Sequence, residues 1–230
     1  MTTRIIATTQ PAPWLVERGV KTAEQLIVYI ARVSNPDNQD NVETGAKLLR
    51  YCLDHGHVSV FESASMTVEI ETTRAIAAQL LRHRSFTFQE FSLRYAKAHG
   101  RPTVPSVRMQ DPKNRQSSLP CEYPELDDWW VAEAGRVMDD VQNLYETALD
   151  RGIAKEVARM VLPLATPTRL YMTGSVRSWI HYLKARLHPA TQQEHRNIAI
   201  EVADVFADEF PVVSEACGLW KKEVDLSLAE

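Results

Sequence analysis

The densest group of side chains that could do chemistry lies in residues 82–95. Three arginines, a histidine and a glutamate alternate there with hydroxyl and aromatic residues. The guanidinium group is planar and always charged, so it matches the oxygens of phosphate with two parallel hydrogen bonds. The segment therefore indicates a site for an anion, and phosphate is the natural candidate.

The position of Arg84 strengthens this interpretation. On a helix that begins near Thr73, residue 84 falls on the same face as the apolar stripe of Ala77, Leu80 and Leu81. A guanidinium on a buried face is costly unless an anion or a hydrogen-bond network meets it. The spacing predicts that Arg84 points inward toward such a partner.

The residues alone leave a plainer alternative open. Arg82 and Arg94 could be surface charges, and Arg84 could pair with a core carboxylate such as Glu62 or Glu90. Composition does not decide between an anion site and this arrangement.

The elements that must position this segment follow from hydrophobic periodicity. Alternation predicts strands at residues 4–8 and 65–71. Recurrence at helical spacing predicts helices over residues 22–33, 42–54, 129–149, 155–162, 176–187 and 194–210, with a further helix after Thr72 or Thr73. The proline-rich residues 100–128 are expected to form a surface excursion, and residues 221–223 a solvated tail. We therefore expect one helix-rich α+β domain over residues 1–230, with a central mixed or antiparallel sheet.

Composition narrows the class of protein. The 230 residues are 44% hydrophobic and 24% charged, with a net charge of -4, so no overall basic field draws the chain to nucleic acid. Its three cysteines are far apart and its apolar runs are too short for a signal peptide or a membrane span. We expect a cytoplasmic protein without nucleic-acid or membrane partners.

An ordered set of motifs resembles the flavin-dependent thymidylate synthases. The string Arg82-His83-Arg84, seven residues and Ser92 is similar to the family signature, and the match continues through Arg94 and Tyr95. Further similar blocks follow the family's order; they are Ala31-Arg32-Val33-Ser34, His55-Gly56-His57, Phe61-Glu62, Glu156-Val157-Ala158-Arg159, Leu162-Pro163-Leu164, Arg177-Ser178, His181 and Arg186. The resemblance covers about residues 31–205.

The resemblance implies an activity and its co-substrates. Members of this family convert dUMP to dTMP, with methylene-tetrahydrofolate as carbon donor and NADPH-reduced FAD as the hydride source. FAD is bound, whereas NADPH and folate are co-substrates. The family forms homotetramers whose active sites lie where subunits meet, and it needs no cysteine nucleophile.

The resemblance also implies the site residues. The catalytic residue is Arg186, which would face the uracil edge and stabilise an enolate-like anion. The expected substrate-binding residues are Gln79, Arg82, Glu90, Phe91, Ser92, Leu93, Arg94, Arg159 and Arg186, with Arg94 and Arg159 near the phosphate. The expected flavin-binding residues are His57, Ser59, Arg82, His83, Arg84, Glu90, Ser175, Arg177 and His181. No metal is expected.

Two other classes of function compete with this one. His55, His57 and Glu62 could be metal ligands, since imidazole and carboxylate suit zinc or iron. An RNA-binding module could stack bases on Phe86 and Phe88, and on Phe91, between the arginines. The acidic net charge argues against the second alternative.

Overall fold

Strands and helices are interleaved along the chain, and the structure, a computed structural model, describes residues 2–219. The strands are β1 (Thr2–Thr8), β2 (Ser65–Thr73), β3 (Thr87–Glu90), β4 (Arg108–Gln110), β5 (Ser118–Pro120) and β6 (Pro167–Ser175). The α-helices are α1 (Pro13–Glu17), α2 (Ala23–Ala31), α3 (Gly45–Asp54), α4 (Arg74–Leu80), α5 (Pro124–Asp150), α6 (Lys155–Ala158), α7 (Val176–Arg186), α8 (Gln193–Glu209) and α9 (Pro211–Cys217). Short 3-10 turns cover Pro36–Asn38, Val58–Glu62 and Arg159–Val161. The expected tail at residues 221–223 lies outside the described residues.

The main sheet is antiparallel, with four strands in the order β1-β2-β6-β3. Strands β2 and β6 pair along their whole length, from Ser65 opposite Ser175 to Thr73 opposite Pro167. The start of β2 therefore lies beside the end of β6, so the helices that follow these strands, α4 and α7, leave from opposite ends of the sheet. The expected α+β class is confirmed, and the sheet is antiparallel rather than mixed.

One face of the sheet forms the hydrophobic core. Met66, Val68 and Ile70 alternate inward along β2 and pack with side chains of α7 and α8, among them Trp179 and Phe206, all of them buried. The indole Nε1 of Trp179 donates to the carbonyl oxygen of Met66 at 3.1 Å, which satisfies its polar atom inside the core. This contact fixes α7 against the sheet.

The opposite face of the sheet carries charges. On β2, Glu69 accepts from Arg4 of β1 at 2.6 Å, and Glu71 accepts from Arg169 of β6 at 2.8 Å. These pairs join β1, β2 and β6 across the face that the core does not cover. Period-2 alternation thus separates an apolar from a charged face.

Local signals explain where several helices begin and end. The Thr22 hydroxyl accepts from the backbone N–H of Gln25, whose side chain accepts in return, which is a capping box at the start of α2. Helix α3 ends before Gly56, whose φ is +71°, as expected from a glycine stop. Helix α5 begins at Pro124, five residues before residue 129, because proline is favoured in the first turn. It therefore takes up part of the expected excursion.

The segment before α5 forms a separate two-stranded sheet of β4 and β5. Three hydrogen bonds tie this segment to α5: Val107 N–H donates to Asp127 at 2.7 Å, Trp130 Nε1 donates to the carbonyl of Pro105 at 3.3 Å, and Arg101 donates to Asp139 at 3.0 Å. No helix in residues 2–219 is long and apolar enough to cross a membrane.

Candidate functional site

The arginine-rich segment does not continue helix α4. The helix ends at Leu80, and residues 81–86 form turns in which Phe86 N–H donates to the carbonyl of His83. The helical period therefore stops before Arg84, which is exposed, and Leu81 is 39% exposed. The prediction that both side chains share the buried stripe of α4 is wrong.

The alternative carboxylate partners of Arg84 are also engaged elsewhere. Glu62 pairs with Arg177 at 2.6 Å, and Glu90 pairs with Arg74 at 2.8 Å. Within residues 2–219, Arg82 and Arg84 appear in no ion pair. The turn after α4 therefore presents two guanidinium groups that are not neutralised by a neighbouring carboxylate.

The middle residue of the same turn, His83, meets the end of α7. Arg186 Nε donates to His83 Nε2 at 3.0 Å, and the ring of Tyr182 lies edge-on at 5.0 Å. Burial and, to a smaller extent, the nearby Arg186 and His181 together lower the pKa of His83 to about 4. The imidazole is therefore neutral near pH 7, and its lone pair holds the charged Arg186 in place.

A second buried histidine lies beside this pair. His195 of α8 is fully buried, and its ring centroid is 6.2 Å from that of His83. Its Nδ1 bonds to Gln79 Oε1 at 3.1 Å, and Gln79 Nε2 donates to Gln192 Oε1 at 2.6 Å. Burial lowers the pKa of His195 to about 4, and Arg186 and His83 contribute in the same direction. The structure thus joins the expected Gln79 to the cluster around Arg186.

Sequence reasoning missed His195 and Tyr182. Tyr182 is buried, and burial raises the pKa of its hydroxyl while the charge of Arg186 opposes the shift. Both residues occupy core-facing helical positions, where a histidine or tyrosine resembles an ordinary core residue in a single sequence. The spacing of Tyr182 four residues before Arg186 on α7 was an available signal, whereas His195 lies on a different helix and no spacing related it to Arg186.

The residues after β3 form a second cluster. A cavity of about 480 Å³ lies between residues 92–95 and the start of α6, and it is lined by Ser92, Arg94, Tyr95, Ala154, Lys155 and Glu156. Arg94 and Glu156 are both exposed and lie 3.3 Å apart, a weak pair that an anion could replace. The structure therefore brings together Ser92 and Arg94 with a lysine that sequence reasoning missed.

Three other expected substrate residues flank this cavity in different ways. Arg159 follows α6, and its buried Nε has no hydrogen-bond partner in the described part of the chain. Leu93 is 5% exposed, so its side chain packs inward. Phe91 is half-buried, with its ring edge-on to His99 at 4.8 Å.

Glu90 lies in a polar contact of its own at the end of β3. Its Oε1 accepts from Arg74 at 2.8 Å and from the Thr168 hydroxyl at 3.0 Å. Arg74 also donates to the carbonyl of Phe91 at 3.2 Å. Sequence reasoning missed Arg74, which sits at the first position of α4, and this contact fixes where the chain turns toward Ser92.

The remaining expected flavin residues surround the start of α7. The Ser175 side chain caps the helix by accepting from Ser178 N–H, and Arg177 pairs with Glu62 at 2.6 Å. Ser59 is exposed in the 3-10 turn Val58–Glu62, and His181 is exposed on α7. These residues lie at the end of the sheet where β3 begins.

The contacts of the histidines and of Phe86 bear on the two alternatives, a metal site and an RNA-binding module. His55 and His57 stack near Tyr51, at 4.0 and 6.0 Å, and His55 Nδ1 bonds to the carbonyl of Tyr51. No group of three metal-ligating residues occurs among positions 2–219. Phe86 is 7% exposed and packs edge-on against Trp179 at 4.7 Å, so it has no free face on which a base could stack.

Strand β3 separates the two clusters. His83 and Arg84 precede the strand, which begins opposite Thr173, whereas Ser92 follows its end opposite Leu170. The strand advances about 3.3 Å per residue, so it alone places about 10 Å between them. The chain thus carries two polar regions at opposite ends of one short strand.

Comparison with known proteins identifies the family of the chain. Residues 15–212 match the family described as thymidylate synthase complementing protein. The chain is 50% identical to a flavin-dependent thymidylate synthase of Synechocystis over 94% of this chain and 99% of that one. It is 49% identical to a probable flavin-dependent thymidylate synthase of Paramecium bursaria Chlorella virus 1, over 94% and 98% of the two chains.

A solved structure shares the fold. The UMP/dUMP methylase PolB from Streptomyces cacaoi, crystallised with 5-Br dUMP, superposes with a TM-score of 0.81 at 26% identity, covering 96% of each chain. The expected resemblance is confirmed: this chain belongs to the flavin-dependent thymidylate synthase family.

Proposed function

We propose that the protein is a flavin-dependent thymidylate synthase that methylates dUMP at C5 to give dTMP. Methylene-tetrahydrofolate is the carbon donor, and FAD reduced by NADPH is the hydride source. Family membership and the two relatives of about 50% identity support the activity. The observation that carries it is the hydrogen bond from Arg186 to a neutral His83 inside the motif Arg82-His83-Arg84.

The cavity beside β3 suits the phosphate of the nucleotide. A phosphate monoester is close to a dianion at neutral pH and needs compensating charge. Arg94 and Lys155 line the cavity. Arg159, four residues after Lys155, has a buried Nε without a hydrogen-bond partner in the described residues. The Arg94–Glu156 pair is exposed, so phosphate can displace the carboxylate at little cost. Ser92 offers a hydroxyl to the same ligand.

The turn after α4 suits the flavin nucleotide. The pyrophosphate of FAD carries negative charge, and Arg82 and Arg84 are exposed cations with no carboxylate partner in the described chain. His83, His181 and the Arg177–Glu62 pair lie on the same side of the sheet. The residues present therefore fit FAD, and His57, Ser59 and Ser175 complete the set within one chain, whereas Glu90 lies at the other end of β3, bonded to Arg74. When bound, FAD supplies the two-electron redox chemistry that no side chain can provide.

The role of Arg186 follows from its surroundings. The guanidinium is half-buried, and because its neighbour His83 is uncharged, no second cation stands beside it to repel it. Such a charge stabilises negative charge that develops on the uracil oxygens when C5 becomes nucleophilic. Gln79, in the same cluster, supplies an amide for the nucleotide.

The cysteines support a mechanism without a thiolate nucleophile. Burial raises the pKa of the Cys52 thiol and raises that of Cys217 to about 11, so both are protonated at neutral pH. The three cysteines are free, which fits the proposed cytoplasmic location.

We place the complete active site between subunits of a homotetramer. Large apolar side chains near the phosphate cavity are exposed: Tyr95 by 89%, Met160 by 77% and Leu164 by 70%. Such a group exceeds what an isolated surface needs and marks an interface. Within one chain, β3 separates the Arg186 cluster from the Arg94 cavity. A neighbouring subunit would bring its own Arg186 cluster to that cavity.

The direct test is an assay of dTMP formation by the purified protein. Complete mixtures contain dUMP, methylene-tetrahydrofolate, FAD and NADPH under anaerobic conditions, and parallel mixtures omit one component each. Product that depends on dUMP, folate and NADPH, and on FAD after the bound flavin has been removed, supports the proposal. Product formed without added folate or without reductant would exclude the proposed carbon or hydride source.

A further inference from the structure

A chain of side-chain hydrogen bonds runs from the β4–β5 hairpin to His195. Arg108 Nη2 of β4 pairs with Glu194 Oε1 at 2.7 Å, and Gln192 Nε2 donates to Glu194 Oε2 at 2.9 Å. Gln192 Oε1 accepts from Gln79 Nε2 at 2.6 Å, and Gln79 Oε1 faces His195 Nδ1 at 3.1 Å. Four links thus connect a surface hairpin to the Arg186 cluster.

The carboxylate of Glu194 fixes which group donates in each of these hydrogen bonds. An ionised carboxylate can only accept hydrogen bonds, whereas an amide has one end that accepts and one that donates. Gln192 must therefore turn its NH2 group toward Glu194, which leaves its oxygen for Gln79. Gln79 must turn its NH2 group toward that oxygen, which leaves its own oxygen for His195. The proton of neutral His195 must then sit on Nδ1.

The salt bridge keeps Glu194 in the state that this ordering requires. Its side chain is only 14% exposed, and that of Arg108 is 22% exposed. Desolvation alone would raise the pKa of Glu194, but the hydrogen bonds from Gln192 and Arg108 outweigh it, and the pKa is lowered. A second bond from Arg108 Nε to the Ser118 hydroxyl of β5, at 3.1 Å, holds the guanidinium in position.

The fixed direction of these hydrogen bonds affects two residues at the proposed substrate site, Gln79 and His195. With its oxygen taken by His195, Gln79 has one N–H left over from its bond to Gln192, and this donor is the group it can offer to a ligand. His195 Nε2, fully buried and without a partner in residues 2–219, stays a bare acceptor beside His83 and Tyr182. A protonated Nε2 would change the polarity next to Arg186.

We propose that Glu194 is a positioning residue for the nucleotide site, which it orders through Gln192 and Gln79, and that Arg108 anchors it from the β4–β5 hairpin. This inference rests on the proposed function, because it assumes that Gln79 binds dUMP. It assigns the hairpin a part in substrate binding without contact between the hairpin and the substrate.

Glu194→Gln is the sharpest test, because it keeps the size of the side chain and removes the obligatory acceptor. Either amide orientation then becomes possible along the chain, so Gln79 presents the wrong group part of the time. The Kd of the FAD-loaded enzyme for dUMP should rise about twofold, since two orientations of similar energy leave about half of the molecules able to bind. Glu201→Gln, which removes the same charge seven residues further along α8, should leave the Kd unchanged.

Gln192→Met tests the same series of hydrogen bonds at a different residue. It removes the amide that joins Glu194 to Gln79 and keeps the Glu194 carboxylate. It should raise the Kd by a similar factor, and the double variant should match either single one instead of multiplying the two effects. Multiplied effects would show that the two residues act independently and would overturn the proposal.

The tautomer of His195 distinguishes the proposed role of Glu194 from a merely structural one, because loss of a structural contact alone would leave the tautomer unchanged. In protein labelled with ¹⁵N-histidine, the wild type should show His195 protonated at Nδ1, and both variants should show a mixture of tautomers. A wild-type enzyme that binds no dUMP would refute the proposed function. A wild type that binds dUMP, with Glu194→Gln unchanged in both Kd and tautomer, would refute this inference alone.

Discussion

At the scale of single residues, the central contact is the one between Arg186 and His83. A guanidinium beside a histidine is stabilised only if the histidine is neutral, and burial secures this by lowering the pKa of His83 to about 4. Sequence resemblance named both residues, but it gave no contact between them. Their meeting depends on how α7 packs over the turn after α4, which no local pattern encodes.

Arg186→Ala should nearly abolish dTMP formation while flavin stays bound. The variant loses the positive charge proposed for the uracil anion but leaves Arg82 and Arg84 in place. Single-turnover rates and the flavin content of the purified variant measure the two effects. Arg50→Ala, which removes an exposed arginine paired with Glu215, is the matched control and should turn over normally. Normal activity of Arg186→Ala would remove that residue from the mechanism.

The half-buried His83 and the buried His195 predict how stability depends on pH. Their folded pKa values are about 4, whereas an unfolded histidine titrates near 6.5. Between these values the unfolded state binds more protons, so stability is fully present above about pH 6.5 and is lost as pH falls toward 4. For the fully buried His195 alone, we expect a loss of about 2 kcal/mol between pH 7 and pH 5.

Urea denaturation at the two pH values measures this loss. His195→Asn should show a smaller difference between pH 7 and pH 5 than the wild type, because the depressed group is gone. The exposed His188→Asn should keep the wild-type difference. An equal pH dependence in all three proteins would contradict the assignment to His195.

At the scale of elements, alternation and helical spacing predicted β1, β2 and the long helices, because each buries one regular face. They missed β6, although it is an inner strand of the sheet. Its inward residues Thr168, Leu170 and Met172 mix polar with apolar, and Gly174 interrupts the pattern. The strand β3 was hidden for another reason: it follows Arg84, whose spacing from Ala77, Leu80 and Leu81 suggested a continued helix.

Gly174 shows how tightly these two strands meet. A Cβ there would lie 2.4 Å from Cδ1 of Phe86, which leads into β3. Gly174→Ala should therefore destabilise the protein by about 1–3 kcal/mol, because the aromatic ring must shift. Gly135→Ala in α5 meets nothing within 4 Å and should stabilise the protein by about 0.5–1 kcal/mol through helix propensity. Thermal unfolding of both variants checks the opposite signs, and a Gly174→Ala protein as stable as wild type would contradict the close packing.

At the scale of the whole molecule, the single chain keeps its two polar regions at opposite ends of β3. The sequence motifs named Ser92 and Arg94 in one region and His83 and Arg186 in the other, and the roles of these residues stay predictions. They could not predict the distance between the regions, which depends on sheet register. The exposed Tyr95 and Met160 support the proposal that a second subunit closes the site.

A shared site predicts complementation between two inactive variants. Arg94→Ala should lose nucleotide affinity and Arg186→Ala should lose turnover, yet subunits unfolded and refolded together should regain part of the activity. Sites that receive both intact residues from different chains then work. Activity of the mixture that never exceeds the sum of the separate variants would show that each site is built within one chain.

The most direct test of the central claim is the absorbance spectrum of the purified protein, recorded anaerobically before and after NADPH and then with dUMP. The proposed function predicts a flavin band that bleaches with NADPH and a flavin spectrum that responds to dUMP, which puts cofactor and nucleotide in one site. A colourless protein that also fails to take up added FAD would contradict the claim.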